Sequence, residues 1–182
     1  MTTWIVLLRG INVGGRNIVP MKTLVGLLQG IGCSQIKTYI QSGNVVLRSP
    51  QKSSAILKKE IQDSIESEFS FRPTVMVLSA SQLAAATETN PFPEGTVDPA
   101  TLHFFFLSDI PVGYDESVLQ DMSAAKERFQ LVESVFYLLA PNGIGRSKLA
   151  ANVEKKLGVA TTARNFRTVD KLVQLAAEVS GT

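Results

Sequence analysis

The sequence is poor in the residues that carry most metal and nucleophile chemistry. It has one cysteine, Cys33, and one histidine, His103, among 182 residues. A single thiol forms no internal disulfide, and a Cys–His nucleophile pair would require these two distant residues to meet. One residue of each kind makes no zinc site. We therefore expect no metal ion and no cofactor, with His103 packed in an apolar strand.

Long hydrophobic runs are also absent. No run approaches the roughly 20 residues that cross a bilayer, and no basic segment precedes the first apolar run as in a signal peptide. With 45% hydrophobic and 19% charged residues, the chain can bury a core. We expect a cytoplasmic protein of one domain, or two small ones, without membrane contact. The sequence indicates no oligomeric state.

Acidic side chains are missing from residues 1–59, which contain eight basic ones. Residues 60–140 hold three basic and thirteen acidic side chains, and residues 141–182 hold seven basic and three acidic. Two interpretations stay open. Either a cationic face meets an anionic partner, or the cationic ends of the chain pack against its acidic middle.

Hydrophobic periodicity predicts two similar halves. The first half contains strand 3–9, a helix from Pro20, strands 35–40 and 44–48 around a turn, helix 52–69 and strand 74–78. This βαββαβ order is the ferredoxin-like arrangement. The second half contains strand 101–107, helix 115–125, hairpin 128–132 and 134–140, helix 145–157 and helix 166–179. It is therefore βαββα plus a terminal helix.

The predicted fold class is α+β, with two ferredoxin-like subdomains of the βαββαβ type and an extra C-terminal helix on the second. A segment with three prolines and a glycine, NPFPEGTVDP, marks the boundary. We expect an N-terminal subdomain over 1–89, a linker over 90–100 and a C-terminal subdomain over 101–182.

A glycine-rich loop joins the first strand to the first helix, within LLRGINVGGRN at residues 7–17. A strand–loop–helix junction can hold an anion, because helix starts present unpaired N–H groups and the positive end of the dipole. The loop lacks G-x-x-x-x-G-K-[ST] and G-x-G-x-x-G, so nucleotide hydrolysis is not expected. In a split βαβ the end of strand one and the hairpin after strand two share an edge. The candidate ligand-binding residues at this edge are Arg9, Asn12, Gly14, Gly15, Arg16, Asn17, Ser42, Gly43 and Asn44.

Each residue type at this edge has an expected role. The two arginines would supply charge and bidentate hydrogen bonds, and the paired glycines would let backbone N–H groups approach. Asn12, Ser42 and Asn44 would orient the ligand. The alternative is a tight loop that uses glycine for positive φ, with its arginines paired to the acidic half.

Two more cationic clusters lie near predicted helix starts. The first contains Arg146, Ser147 and Lys148, with Ser147 as a plausible N-cap. The second contains Arg164, Asn165 and Arg167, with Asn165 or Thr168 as the cap. Cations oppose the dipole there, so a bound anion or a neighbouring carboxylate must offset the penalty. Arg164 and Arg167 would close the first site if the last helix folded back over that edge.

These motifs resemble a bacterial family, the domain of unknown function 1697. The resemblance rests on LLRGINVGGRN, YIQSGNVVL, SKL and TARNFRTVDKL, and covers nearly the whole chain in the right order. Phe166 stands where the family commonly has tryptophan. The resemblance implies an α+β fold of two related ferredoxin-like subdomains. It implies no activity, because the family is uncharacterised.

Three functional hypotheses follow. The leading one is a protein that binds an anionic, phosphate-bearing ligand, either a small molecule or a nucleic acid, at the loop edge. The second is an enzyme acting on a phosphorylated or carboxylated small molecule, although no base or nucleophile is recognisable and no catalytic residue is assigned. The third is a protein–protein interaction module.

Overall fold

A computed structural model describes residues 1–181 as two compact units. Unit 1 comprises Met1–Ala85 together with the chain from Asp170 onward, and unit 2 comprises Ala86–Val169. Each unit contains one four-stranded sheet.

Unit 1 has the predicted βαββαβ order, followed by a helix that runs into unit 2. Its elements are β1 (Thr2–Arg9), α1 (Met21–Gly30), β2 (Ser34–Tyr39), β3 (Asn44–Ser49), α2 (Ser54–Phe69), β4 (Thr74–Ser79) and α3 (Ala80–Glu88). The strands lie in the order β2-β3-β1-β4, and every pair is antiparallel. This is the ferredoxin-like topology.

The centre of unit 1 is β1, whose residues Trp4–Leu8 are all buried. An unbroken apolar run without alternation is typical of a strand covered on both faces. Leu57, Ile61 and Ile65 form the buried stripe of α2. The helix α1 begins one residue later than expected, because Pro20 is extended at ψ 131.

Unit 2 repeats the topology with one strand more than its sequence pattern predicts. Its elements are a 3₁₀ helix (Pro93–Thr96), β5 (Leu102–Leu107), α4 (Glu116–Met122), β6 (Arg128–Val132), β7 (Val135–Leu139), α5 (Lys148–Leu157), β8 (Thr161–Asn165) and the first turn of α6 (Phe166–Ser180). The strand order is β6-β7-β5-β8, again antiparallel throughout. The two βαββαβ units confirm the predicted α+β class.

The missed element is β8. Its residues TTARN carry two threonines, an arginine and an asparagine, so no apolar alternation marks them as a strand. Backbone pairing with β5 makes the strand, with Phe104 opposite Arg164. Arg164 therefore lies in a strand and not at a helix start.

The two central strands of the second sheet, β5 and β7, are buried on both faces. Phe105 and Phe136 lie on the face that packs with Leu119 and Leu149 of α4 and α5. On the opposite face Phe104 contacts Tyr137, with ring centroids 4.8 Å apart. The predicted strand 101–107 is therefore a core strand, β5, with every residue buried.

The last helix, α6, continues from unit 2 into unit 1 at Asp170. Near its end, Ser180 Oγ donates to Thr3 Oγ1 at 3.0 Å. Within residues 1–181, no helix combines the length and apolar character that a bilayer crossing needs.

Candidate functional site

The end of β1 and the β2–β3 turn meet at one edge of unit 1. The Leu8 N–H donates to the Gly43 carbonyl at 2.8 Å. Gly43 has φ +76, and a Cβ built on it would lie 2.7 Å from Leu8 Cβ. Only glycine meets both demands without a shift of the backbone. The sequence-based expectation that these two segments share an edge therefore corresponds to a direct hydrogen bond.

Asn12 joins the glycine-rich loop to this turn. Its Nδ2 donates to the carbonyls of Val19 at 2.9 Å and Gln41 at 2.8 Å, and its Oδ1 accepts from the Val19 N–H at 2.8 Å. Three hydrogen bonds engage the whole amide group. Asn12 therefore fixes the loop against the turn. That it also orients a ligand stays a prediction.

The middle of the loop is a small β-hairpin. Arg16 N–H donates to the Val13 carbonyl at 3.1 Å, and Asn12 N–H donates to the Asn17 carbonyl at 3.1 Å. Gly14 and Gly15 have φ +59 and +72, as the two central residues of a type I′ turn require. The glycines therefore shape the turn, which projects the arginine beside it.

Asn17 and Asn44 complete the support of the edge. The Asn17 Nδ2 donates to the Gly10 carbonyl at 2.9 Å. Asn44 is fully buried, and its Nδ2 donates to Ser42 Oγ at 2.9 Å and to the Tyr39 carbonyl at 3.2 Å. These amides hold backbone and hydroxyl groups of the loop and of the β2–β3 turn in place.

Cations and apolar side chains make up the exposed surface of this edge. Arg9 and Arg16 are exposed, and so is Lys22 in the first turn of α1. Lys22 is not among the ligand-binding residues predicted from the sequence. Val13 is 66% exposed, and Ile18 and Ile40 are each 55% exposed. We call this surface, formed by residues 9–18, 22 and 40–43, the loop edge. An exposed apolar side chain on a loop carries no sequence pattern, so Ile18 and Ile40 were not foreseen.

The second predicted cluster lies in unit 2, just before and at the start of α5. Ser147 is the N-cap, and its Oγ accepts from the Ala150 N–H at 2.9 Å. Arg146 precedes the helix by two residues, and Lys148 is its first residue. Both cations are exposed.

The third cluster also lies in unit 2. Asn165 Oδ1 caps α6 by accepting from the Thr168 N–H at 3.1 Å and from Thr168 Oγ1 at 2.9 Å. Arg167 is exposed. The Arg164 side chain is partly buried and donates to Thr162 Oγ1 at 2.9 Å and to the Ala163 carbonyl at 2.7 Å. Burial lowers the pKa of this guanidinium to about 10. This cluster and the loop edge belong to different units.

Cys33 and His103 are both buried, in separate units. Burial raises the pKa of the Cys33 thiol, and a hydrogen bond with Ser49 only partly opposes this. Burial lowers the pKa of His103, with a backbone hydrogen bond to Ala100 opposing it. Across residues 1–181, no three His, Cys, Asp or Glu side chains are grouped so as to hold a metal ion.

Comparisons with known proteins agree with this architecture. The chain is similar to the solved structure of the conserved bacterial protein SP0830 from Streptococcus pneumoniae, at 25% identity and a TM-score of 0.70. The match covers 96% of this chain and 98% of that one. No curated protein matches the sequence. A model of the protein family of unknown function DUF1697 matches residues 1–137, and the chain belongs to that family.

Proposed function

We propose that this protein binds a phosphate-bearing polymer, a nucleic acid, at the loop edge of unit 1. The observation that carries the proposal is the type I′ turn at Gly14–Gly15, beside which the Arg16 side chain is exposed. Within the described part of the chain, the Arg16 guanidinium makes no hydrogen bond and no ion pair. A charged group held outward without an internal partner is available to an anion.

The shape of the edge favours a polymer over a small molecule. Small-molecule sites are concave and bury most of the ligand surface. A Cβ built on Gly14 or Gly15 meets no atom within 4 Å, so the tip points into open space. The exposed Val13 beside it can contact sugars and bases, which a free phosphate would not provide. A projecting tip reaches a long anion better than it encloses a short one.

The charge around the tip has one sign. Arg9, Arg16 and Lys22 are the cations of the edge, and residues 1–59 contain no acidic side chain. Arg72 precedes the start of β4, but its guanidinium already pairs with Asp63 at 2.8 Å and Glu66 at 2.6 Å. Arg9 already interacts within the chain, so Arg16 and Lys22 are the two cations counted as phosphate contacts. Two phosphate contacts are few, so we expect modest affinity that depends on salt.

The test is a fluorescence anisotropy titration of a labelled DNA duplex at several salt concentrations. Two phosphate contacts predict a slope of log K against log salt of about −1.8. Arg16→Ala should reduce the slope by about 0.9 and weaken binding to every sequence about equally. Lys155→Ala, the control, removes one exposed charge from the far end of α5 and should change neither.

Two results would overturn the proposal. One is a folded protein that leaves duplex and single-stranded oligonucleotides unbound at about 50 mM salt, where phosphate contacts are strongest. That result would favour the interaction module, whose partner would meet the exposed apolar side chains. The other is an equal loss of binding in Arg16→Ala and Lys155→Ala, which would indicate diffuse attraction to the whole chain.

A further inference from the structure

Unit 2 contains a surface cavity of about 580 Å³ at the start of α5. Its walls come from two segments, residues 124–127 after α4 and residues 141–147 after β7. A volume of several hundred Å³ is typical of small-molecule sites. This concave site contrasts with the projecting tip of the loop edge.

Two cations line the cavity, one from each segment. Lys126 and Arg146 are exposed, and neither side chain has a hydrogen bond or ion pair anywhere in residues 1–181. Glu127 is the only carboxylate in the lining, and its Oε2 accepts from the Ala124 N–H at 2.9 Å. The formal charge of the lining is therefore +1, with the cations available and the carboxylate engaged.

A buried hydroxyl at the same place is only half satisfied. Ser147 lines the cavity and is 7% exposed. Its Oγ accepts from the Ala150 N–H, but no acceptor for its own proton is present in the part of the chain that the structure describes. Because this hydroxyl lines the cavity, its proton is available to an oxyanion bound there. The first amides of α5 and its positive dipole end add to the attraction.

We propose that this cavity is a second anion site, which binds the terminal phosphate of a small molecule. Arg146 would form charge-assisted hydrogen bonds, Lys126 would neutralise a second oxygen, and Ser147 would donate its proton. A phosphate monoester offers three charged oxygens for these donors on separate walls, whereas a carboxylate offers two. The proposal is independent of nucleic-acid binding at the loop edge.

Gly145 provides a steric test that leaves the charge unchanged. It lines the cavity, and a Cβ built on it meets no atom within 4 Å. Its φ is not in the left-handed region, so a larger residue is not strained by the backbone. Gly145→Val should therefore fold normally and fill part of the cavity.

The experiment is a ¹⁵N–¹H NMR titration of the full chain with glycerol 3-phosphate, and with glycerol as the neutral match, at constant ionic strength. We expect saturable shifts of the amides of residues 145–150 with the phosphate and none with glycerol. Arg146→Ala should weaken binding roughly tenfold or more, since a hydrogen bond to a charged group is lost. Gly145→Val should abolish binding.

Two control variants distinguish binding in this cavity from electrostatic attraction of the phosphate to other parts of the chain. Lys155→Ala changes the same charge at the other end of the same helix, roughly 10 Å away by the helical rise, and should leave the affinity unchanged. Arg16→Ala should also leave it unchanged, whatever its effect on nucleic-acid binding. Shifts that do not saturate would overturn the proposal. Equal weakening in the Arg146 and Lys155 variants would overturn it too.

Discussion

Gly43 holds the two halves of the loop edge together, and its replacement by alanine should be costly. The variant keeps φ +76, which costs an alanine about 1–2 kcal/mol. Its Cβ would also lie 2.7 Å from Leu8 Cβ and 3.0 Å from the Leu8 carbonyl oxygen, so backbone must move. Overpacking of this kind adds roughly 1–3 kcal/mol.

Gly15→Ala is the matched control. Gly15 has φ +72, nearly the same as Gly43, but a Cβ there meets no atom within 4 Å. It should therefore cost only the conformational term of about 1–2 kcal/mol. The difference between the two variants, about 2 kcal/mol, measures the close approach of the turn to β1.

Trp4 makes the assay specific for unit 1. It is the only tryptophan of the chain and is 6% exposed. Urea unfolding followed by its fluorescence should give a midpoint about 1 M lower for Gly43→Ala than for Gly15→Ala, at a slope of about 2 kcal/mol/M. Coincident midpoints would refute the close approach of Gly43 to Leu8. The turn would then have no tight packing contact with the end of β1.

Three other predictions concern single side chains. Asn12→Ala removes three hydrogen bonds and should lower the stability of unit 1 by about 2 kcal/mol in the same urea assay; an unchanged midpoint would contradict its joining role. His103, the only histidine, should titrate below its ordinary pKa of 6.5 in an NMR pH series. Because the unfolded state then binds more protons, the stability of unit 2 should fall as the pH drops below 6.5; a higher pKa would reverse that sign. Cys33, whose pKa burial raises, should react with a thiol reagent only as fast as unit 1 opens; immediate labelling of the native protein would show an accessible thiolate.

Most of the fold could be predicted from periodicity and turn residues. The buried run Trp4–Leu8, the stripe of α2 and the Ser147 cap all follow from local pattern. The strand β8 could not be predicted, because its residues are polar and its pairing with β5 is a tertiary interaction. Local propensity is weak evidence for such a strand.

The residue types at the loop edge could be read from the sequence. The role of each side chain could not. An asparagine in a glycine-rich loop can bind a ligand or its own backbone, and the sequence does not distinguish the two. Hydrogen bonds engage Asn12 and Asn17 with backbone groups of the loop, and Asn44 with the β2–β3 turn. The cavity beside Ser147 depends on residues 124–127, which are distant in sequence and become neighbours only through the fold.

The most direct test of nucleic-acid binding at the loop edge is a ¹⁵N–¹H NMR titration of the full chain with a short DNA duplex at low salt. We expect the amide resonances of Gly14, Gly15 and Arg16 to shift first and most, because the hairpin tip meets the phosphates. Loss of these shifts in Arg16→Ala, with the remaining spectrum unchanged, would agree with it. Shifts confined to other surfaces, or no shifts from a folded protein, would contradict it.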